Sequence, residues 1–149
     1  MSENQSSSPA TRCEYTHAFL ILRLWLGLRA LFAGIEKFES KGSYSFEAYY
    51  TNMKRMATGI TGASFLPLWS TKLFAMSIGY ILIALGLALL LGIKTRCTLF
   101  LMGLTYVALS FGLMVVQESD GVAWLGMHVI LVAGALVLVQ HNRFALLRD

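Results

Sequence analysis

Arg29 is the residue whose type and position most directly suggest chemistry. It lies in an apolar stretch, 18–38, near the point that would occupy the hydrocarbon centre of a bilayer. Arginine does not lose its charge in proteins, and a charge at mid-span disfavours insertion by about 2.5–3.5 kcal/mol. We therefore expect Arg29 to face other helices or a partner subunit rather than lipid.

Three interpretations of Arg29 are open from the sequence. Its guanidinium holds helices together, anchors an anionic or carbonyl-bearing ligand such as a quinone head group, or forms a salt bridge to another subunit. Glu36 follows on the same helical face about two turns later, too far for a direct bridge but near enough for a bridging water or ligand. The polar side chains on other stretches that could hold Arg29 are Tyr80, Thr105, Tyr106 and Ser110.

His128 is the second candidate, because a histidine within an apolar stretch is suited to proton exchange near neutral pH. A hydrogen bond to a neighbouring helix is an equally good interpretation. If a quinone binds, we expect Arg29 and His128 to make its polar contacts. The aromatic residues expected to shape the access route, or else to form only an interfacial belt, are Tyr49, Tyr50 and Trp69.

Metal and heme sites are not expected. Heme held between helices needs two axial ligands at one depth, and only His17 and His141 meet that condition, at the interface rather than in hydrocarbon. Cys13 and Cys97 fit no zinc-ligand spacing and imply no disulfide. Without a nucleotide loop or nucleophile motif, electrons for any redox reaction would have to come from a partner protein.

Four apolar stretches must position these residues. With 56% apolar and 13% charged residues, the 149-residue chain is typical of a protein surrounded by lipid. We predict an all-α integral membrane protein, a four-helix transmembrane bundle with spans near 18–38, 73–93, 97–116 and 122–139. Residues 1–15 are predicted to be a disordered or flexible tail, and 16–149 to form the membrane domain.

The segment 39–71, between the first two spans, is too polar to cross the membrane. Its apolar residues recur at helical spacing with charged residues between them, which predicts a helix lying in the membrane interface. These apolar residues are Phe46, Tyr49, Tyr50, Met53 and Met56.

We expect the protein to lie in a bacterial cytoplasmic membrane, and basic residues near the span ends favour an orientation with both termini in the cytoplasm. Arg12 precedes the first span, and Lys94 and Arg96 lie in the turn between the second and third. Four bases in the long first connection argue for the opposite orientation: Lys41, Lys54, Arg55 and Lys72. The net charge of +4 is explained by bases beside the spans and by attraction to anionic lipid, and no basic run suggests nucleic acid.

The first span carries a stripe of small and basic residues within about 40° of one another on a helix. The stripe consists of Arg23, Gly27, Gly34 and Lys37. We expect Arg23 to extend its guanidinium toward the head groups, and Glu36 and Lys37 to lie at the opposite interface. A second set of small residues, expected to pack against another helix or a partner, is Ala84, Ala88 and Gly92.

The first-span stripe resembles the opening signature of the DoxX family of small four-helix membrane proteins. Gly79, Gly86 and Gly92, followed by Thr95 and Arg96, are similar to that family's second-span motif, and 142–149 resembles its C-terminal segment. The resemblance implies a membrane subunit linked to quinone-dependent oxidation of sulfur compounds or to thiol redox homeostasis. Leu82 stands where the family commonly has a glutamate, so the implied proton-carrying or arginine-pairing carboxylate is missing, which argues against direct catalysis.

Three functions follow from these observations. The leading one is a small integral subunit of a quinone-linked oxidoreductase complex, which offers a quinone-facing or subunit-anchoring surface. The alternative is a non-enzymatic accessory subunit that stabilises a larger membrane complex. A transporter for an anion or lipid ranks third, because no inverted repeat or broken helix is evident. The expected partners are membrane lipids and either other membrane subunits or a second copy of the chain.

Overall fold

The computed structural model describes residues 9–147, with side chains from Cys13 onward, and these residues are mainly helical. The elements in chain order are α1 (Pro9–Ile35), a 3-10 turn (Glu36–Phe38), β1 (Glu39–Ser40), β2 (Ser43–Tyr44), α2 (Phe46–Ala63), α3 (Leu68–Leu91), α4 (Thr95–Val115), α5 (Ser119–Leu138) and a 3-10 turn (Val139–His141). β1 and β2 form a small antiparallel hairpin between α1 and α2.

Four of the helical segments are long and apolar enough to cross a membrane: Cys13–Phe38, Leu68–Leu91, Thr95–Val115 and Ser119–His141. The prediction of a helical protein with four candidate spans is thereby confirmed. The second span begins at Leu68 rather than near residue 73, because Pro67 provides an extended backbone immediately before a helix start. Residues 1–8 of the expected tail lie outside the described residues, and the chain is already helical from Pro9.

Glycines bring α1 and α3 into backbone contact. A Cβ added at Gly86 would lie 2.7 Å from the backbone nitrogen of Leu31 and 2.9 Å from the carbonyl oxygen of Gly27. One added at Gly34 would lie 2.9 Å from the carbonyl oxygen of Gly79. Because no side chain larger than hydrogen fits at these crossings, the glycines set the distance between the two helices.

The small residues expected to form a seam on α3 lie elsewhere. Ala84 is exposed and Ala88 is only partly buried, whereas Gly86 is buried against α1 and Gly79 is buried against the ring of Tyr49 of α2. Gly92 is buried for a different reason, since it ends α3 in the left-handed conformation, with φ of 72°. Spacing every fourth residue identified a common face but did not identify the face that packs within this chain.

Helix α2 lies across one end of the bundle, where α1 ends and α3 begins. Its first turns meet the end of α1, as Tyr49 stacks on Phe38 with ring centroids 4.3 Å apart. Its last turns reach α3, where the hydroxyls of Thr61 and Thr71 are 2.6 Å apart, and α4, where Ile60 lies beside Gly112. We call this end of the bundle the α2 end. The buried face of α2 consists of Tyr49, Met53, Ala57 and Ile60.

The C-terminal segment closes the opposite end, which we call the terminal end. There Tyr15 near the start of α1 lies beside His141 after α5, with ring centroids 5.1 Å apart. The backbone of Leu147 donates to the carbonyl of Gly92 at 3.3 Å and accepts from the nitrogen of Lys94 at 3.0 Å. These bonds fasten the chain after α5 to the turn between α3 and α4.

Arg23 is buried beneath that segment, with 5% of its surface exposed. Its Nη1 donates to Asn142 Oδ1 at 3.1 Å and to the carbonyl oxygen of Phe144 at 2.5 Å. Asn142 in turn donates to the hydroxyl of Thr95 at 2.8 Å. The expectation that Arg23 extends to the head groups is therefore wrong, because the C-terminal segment folds back and supplies acceptors within the protein.

Candidate functional site

A cavity of about 540 Å³ lies between α1, α2, α4 and α5 in the half of the bundle nearest the α2 end. Its volume is within the range of small-molecule sites, and most of its walls are apolar. The lining residues are Ala33, Lys37, Met56, Gly59, Ile60, Leu82, Leu109, Gly112, Leu113, Val116, Gly121, Trp124 and Leu125, together with Arg29, Glu36, Tyr106 and His128.

Two buried polar atoms that border this cavity have no hydrogen-bond partner among the residues that the structure describes: the hydroxyl of Tyr106 and Nε2 of His128. The ring centroids of these residues are 5.4 Å apart. Leaving a buried polar atom unpaired costs about 1–3 kcal/mol. A ligand that offers a carbonyl or hydroxyl oxygen to these atoms would recover part of that cost.

The protonation of the His128 ring follows from its backbone contact. Nδ1 lies 2.8 Å from the carbonyl oxygen of Trp124, one turn earlier on α5. Because a carbonyl only accepts, Nδ1 carries the proton, and in the neutral ring Nε2 is the acceptor. The cavity is thus bordered by a hydroxyl that can donate and an imidazole nitrogen that can accept.

Arg29 and Glu36 bring charge to the α1 wall of the cavity. Arg29 Nη1 lies 3.8 Å from Glu36 Oε2, and the side chains are 43% and 64% exposed. The expectation that these residues are too far apart for a direct bridge is wrong, since helical rise separates their backbones whereas two long side chains extend toward each other. Two of the polar residues expected to hold Arg29 instead form hydrogen bonds within their own helix. The Thr105 and Ser110 hydroxyls bond to Leu101 and Tyr106 carbonyls on their own helix.

The aromatics expected to shape ligand access do not line the cavity. Tyr49 is fully buried and donates its hydroxyl to the carbonyl of Met76 at 2.6 Å. Burial raises the pKa of Tyr49, which keeps this donor protonated. Tyr50 lines a separate cleft between α2 and α3, and Trp69 is 73% exposed at the start of α3. The structure thus separates these residues from Arg29 and His128, which do share one cavity.

Sequence reasoning missed the role of Trp124 and underrated Tyr106. Trp124 precedes His128 by one helical turn, so a search for residues on the His128 face would have found it. The sequence suggests Tyr106 only as a partner for Arg29. Leu82 of α3 also lines the cavity and offers no polar group. Among the cavity-lining residues, carboxylate chemistry is therefore left to Glu36.

The remaining residues singled out in the first span have packing roles. Gly27 and Gly34 face α3, as described above. Lys37 is partly buried, lines the cavity beside Glu36, and accepts a hydrogen bond at its carbonyl from Asn52 of α2 at 3.4 Å. The cavity wall on α1 is accordingly tied to α2.

Comparison with known proteins identifies one family. The family model DoxX matches residues 18–116, well over half of the chain. No curated protein and no solved structure matches. Arg23, Arg29 and Tyr106 lie within the matched region, and His128 lies beyond it. This is a family of membrane proteins, often linked to subunits associated with oxidoreductases. The chain belongs to the DoxX family.

Proposed function

We propose that this protein is a small integral membrane subunit that binds a quinone head group in the cavity and serves a quinone-linked oxidoreductase complex. The observation that carries the proposal is the pair of buried, unpartnered polar atoms on Tyr106 and His128 beside a mainly apolar cavity. The family resemblance suggests that the complex oxidises sulfur compounds or thiols.

The residues around the cavity fit such a ligand. A quinone head is a flat apolar ring with oxygens on opposite sides, so it needs apolar walls and a few polar contacts. The Tyr106 hydroxyl can donate to a carbonyl oxygen, and His128 Nε2 can accept from a hydroxyl. When bound, the quinone would supply redox chemistry by exchanging electrons with a partner subunit.

Arg29 gives the cavity a fixed positive charge. Its guanidinium can donate to a ligand oxygen and favours the accumulation of negative charge there. Because 43% of the Arg29 side chain is exposed, the α1 wall is where a ligand can reach the cavity from the surface. Glu36, at the same wall, is 64% exposed and lies 3.8 Å from the Arg29 guanidinium.

The membrane arrangement that accompanies this function places α2 in the interface and both termini in the cytoplasm. The buried face of α2 lies against the bundle, while its other face carries charged and aromatic residues, which is the composition of an interfacial helix. In this orientation the cavity lies in the leaflet farther from the cytoplasm, and the terminal end faces the cytoplasm.

Quinone binding by the purified full-length protein tests the proposal. Short-chain ubiquinone and menaquinone analogues are titrated in mild detergent, and dissociation constants are obtained from intrinsic tryptophan quenching. Tyr106→Phe and His128→Ala should each weaken binding of at least one analogue about tenfold, the loss of one hydrogen bond in a desolvated site. Tyr80→Phe is the matched control, since it removes the same hydroxyl from a tyrosine that does not line the cavity.

Two results would count against the proposal. The absence of saturable quinone binding, or binding that the cavity variants leave unchanged, would rule out this cavity as a quinone site. Co-purification then separates the remaining functions. A stoichiometric redox partner whose turnover is insensitive to His128→Ala would indicate an accessory subunit, and anion or lipid flux by the protein alone would indicate a transporter.

A further inference from the structure

Two clefts lie outside the cavity, where α2 passes over the beginning of α3. One has a volume of about 510 Å³ and the other about 230 Å³. Lys54 of α2 and Lys72 of α3 line both clefts, so the two ammonium-bearing side chains stand at their common wall. Neither the quinone proposal nor the packing of the bundle uses these lysines.

The sequence explains how this surface arises. Apart from Ala57 of the buried face, the residues of α2 that line the clefts recur at helical spacing and form a stripe beside that face: Glu47, Tyr50, Thr51, Lys54, Arg55 and Thr58. Lys72 lies between Leu68 and Met76 on one face of α3, which also borders the clefts. Two helices thus converge on a surface rich in ammonium, guanidinium and hydroxyl groups.

The positive charge at this surface is largely uncompensated. In the part of the chain that the structure describes, neither Lys54, Arg55 nor Lys72 forms an ion pair, and Glu47 is the one acidic residue that lines the clefts. Two ammonium groups from different helices can contact one phosphate from two sides. The charge therefore complements an anion with a single negative charge and several acceptor oxygens.

The surroundings favour a phospholipid as the source of that phosphate. Lys72 lies about 6 Å along α3 from its first residue, the depth of the head groups if α3 spans the bilayer. Exposed apolar side chains continue along the same part of α3: Trp69 is 73% and Leu73 is 67% exposed. A diacyl lipid can place its phosphate against the lysines and its chains against these apolar residues.

We infer that the clefts between α2 and α3 bind the phosphate of an anionic phospholipid through Lys54 and Lys72. The lipid would contact both α3 and the outer surface of α2. Helix α2 also forms a wall of the cavity. The inference does not depend on the identity of the cavity ligand.

Lipid retention by the full-length protein tests this assignment. Protein in mild detergent is exposed to equimolar dioleoylphosphatidylglycerol and dioleoylphosphatidylcholine, and bound lipids are counted by native mass spectrometry. The wild type should retain phosphatidylglycerol preferentially. Lys54→Gln with Lys72→Gln should lower that preference about 30-fold, the value for two lysines near an anionic surface. Lys54→Arg with Lys72→Arg should retain it.

The matched control removes the same charge elsewhere. Lys41→Gln with Lys94→Gln changes exposed lysines in the β-hairpin and in the α3–α4 turn, and it should leave the preference unchanged. Three results would overturn the assignment: equal retention of both lipids, equal losses in the test and control variants, and displacement of phosphatidylglycerol by millimolar inorganic phosphate. The last would identify a site for free anions rather than for lipid.

Discussion

Arg23 and Arg29 belong to the same helix, yet their surroundings at the two ends of the bundle differ. Arg23 at the terminal end is 5% exposed and is bonded to Asn142 and to the carbonyl of Phe144. Arg29, nearer the α2 end, has 43% of its side chain exposed, and its Nη1 lies 3.8 Å from Glu36 Oε2. A buried guanidinium with bonded partners stabilises a fold, whereas one with free donors beside a cavity can bind a ligand.

The covering segments explain the difference. The C-terminal segment brings one backbone carbonyl and one amide side chain to Nη1 of Arg23, although Nε of Arg23 and Nδ1 of His141 are also buried without a partner among the described residues. Helix α2 instead covers the other end with an apolar face that includes Met53 and Ile60. Because the α2 side chains at the cavity, Met56 and Ile60, supply no hydrogen-bond donor and no strong acceptor, the Tyr106 hydroxyl and His128 Nε2 have no partner among the described residues. The terminal end is thus suited to structure, and the α2 end to binding.

We expect the largest effect from a substitution that disturbs the packing of α1 against α3. Because α1 carries both Arg23 and Arg29, this substitution would disrupt the terminal end and the α2 end together. Gly86→Ala would place a methyl group 2.7 Å from the backbone nitrogen of Leu31. Backbone cannot move aside as a side chain can, so we expect a loss of more than about 3 kcal/mol in the free energy of unfolding. Circular dichroism during denaturation in mild detergent measures this loss.

Gly126→Ala is the matched control, since a Cβ at Gly126 of α5 meets nothing within 4 Å. That change should be neutral or slightly stabilising, because alanine favours helix more than glycine does. Equal effects of the two substitutions would show that the α1–α3 crossing does not depend on the absence of a side chain at residue 86.

The next test asks whether a substitution at the terminal end leaves the cavity unaffected. Asn142→Ala removes an acceptor from Arg23 and a donor to Thr95. Since a charged buried donor loses one of its two acceptors, we expect the free energy of unfolding to fall by about 2 kcal/mol, with quinone affinity unchanged. The two quantities are measured on the same preparation. A parallel fall in quinone affinity would show that the terminal end influences the cavity and that the proposed division is wrong.

The comparison also shows what the sequence could predict. The length and composition of the apolar segments were sufficient to predict the four spans. A segment in lipid must form its backbone hydrogen bonds internally, and a helix does so. Helical spacing correctly placed Gly27 and Gly34 on one face. The same rule also selected Ala84, which is exposed, because spacing reports which residues share a face and not which neighbour that face meets.

The site was harder to predict for the same reason. Arg29 and His128 were chosen because charged or titratable groups are rare in apolar stretches, a property of single residues. Their assembly with Tyr106 depends on contacts between α1, α4 and α5 that no local pattern encodes. Arg23 was misplaced because its acceptors lie more than a hundred residues further along the chain.

A smaller effect is expected from removing the charge at the cavity while leaving the fold intact. Arg29→Gln should weaken quinone binding about tenfold, the contribution of one charge-assisted hydrogen bond, and change the free energy of unfolding by less than about 0.5 kcal/mol. Arg143→Gln, at an exposed residue after α5, serves as the control for lost net charge. A large loss of stability in Arg29→Gln would instead assign Arg29 the structural role that Arg23 has.

The smallest effect concerns Glu36, which competes with a ligand for the Arg29 guanidinium. Glu36→Gln should free Arg29 and tighten quinone binding about threefold, in keeping with the weak attraction of an exposed ion pair. Because salt screens exposed charges, the difference between wild type and variant should shrink as ionic strength rises. Titrations at low and high salt measure both quantities. Weaker binding by Glu36→Gln at either salt concentration would mean that the carboxylate orients Arg29 for the ligand instead of competing with it, as Asn142 and the Phe144 carbonyl hold Arg23 at the terminal end.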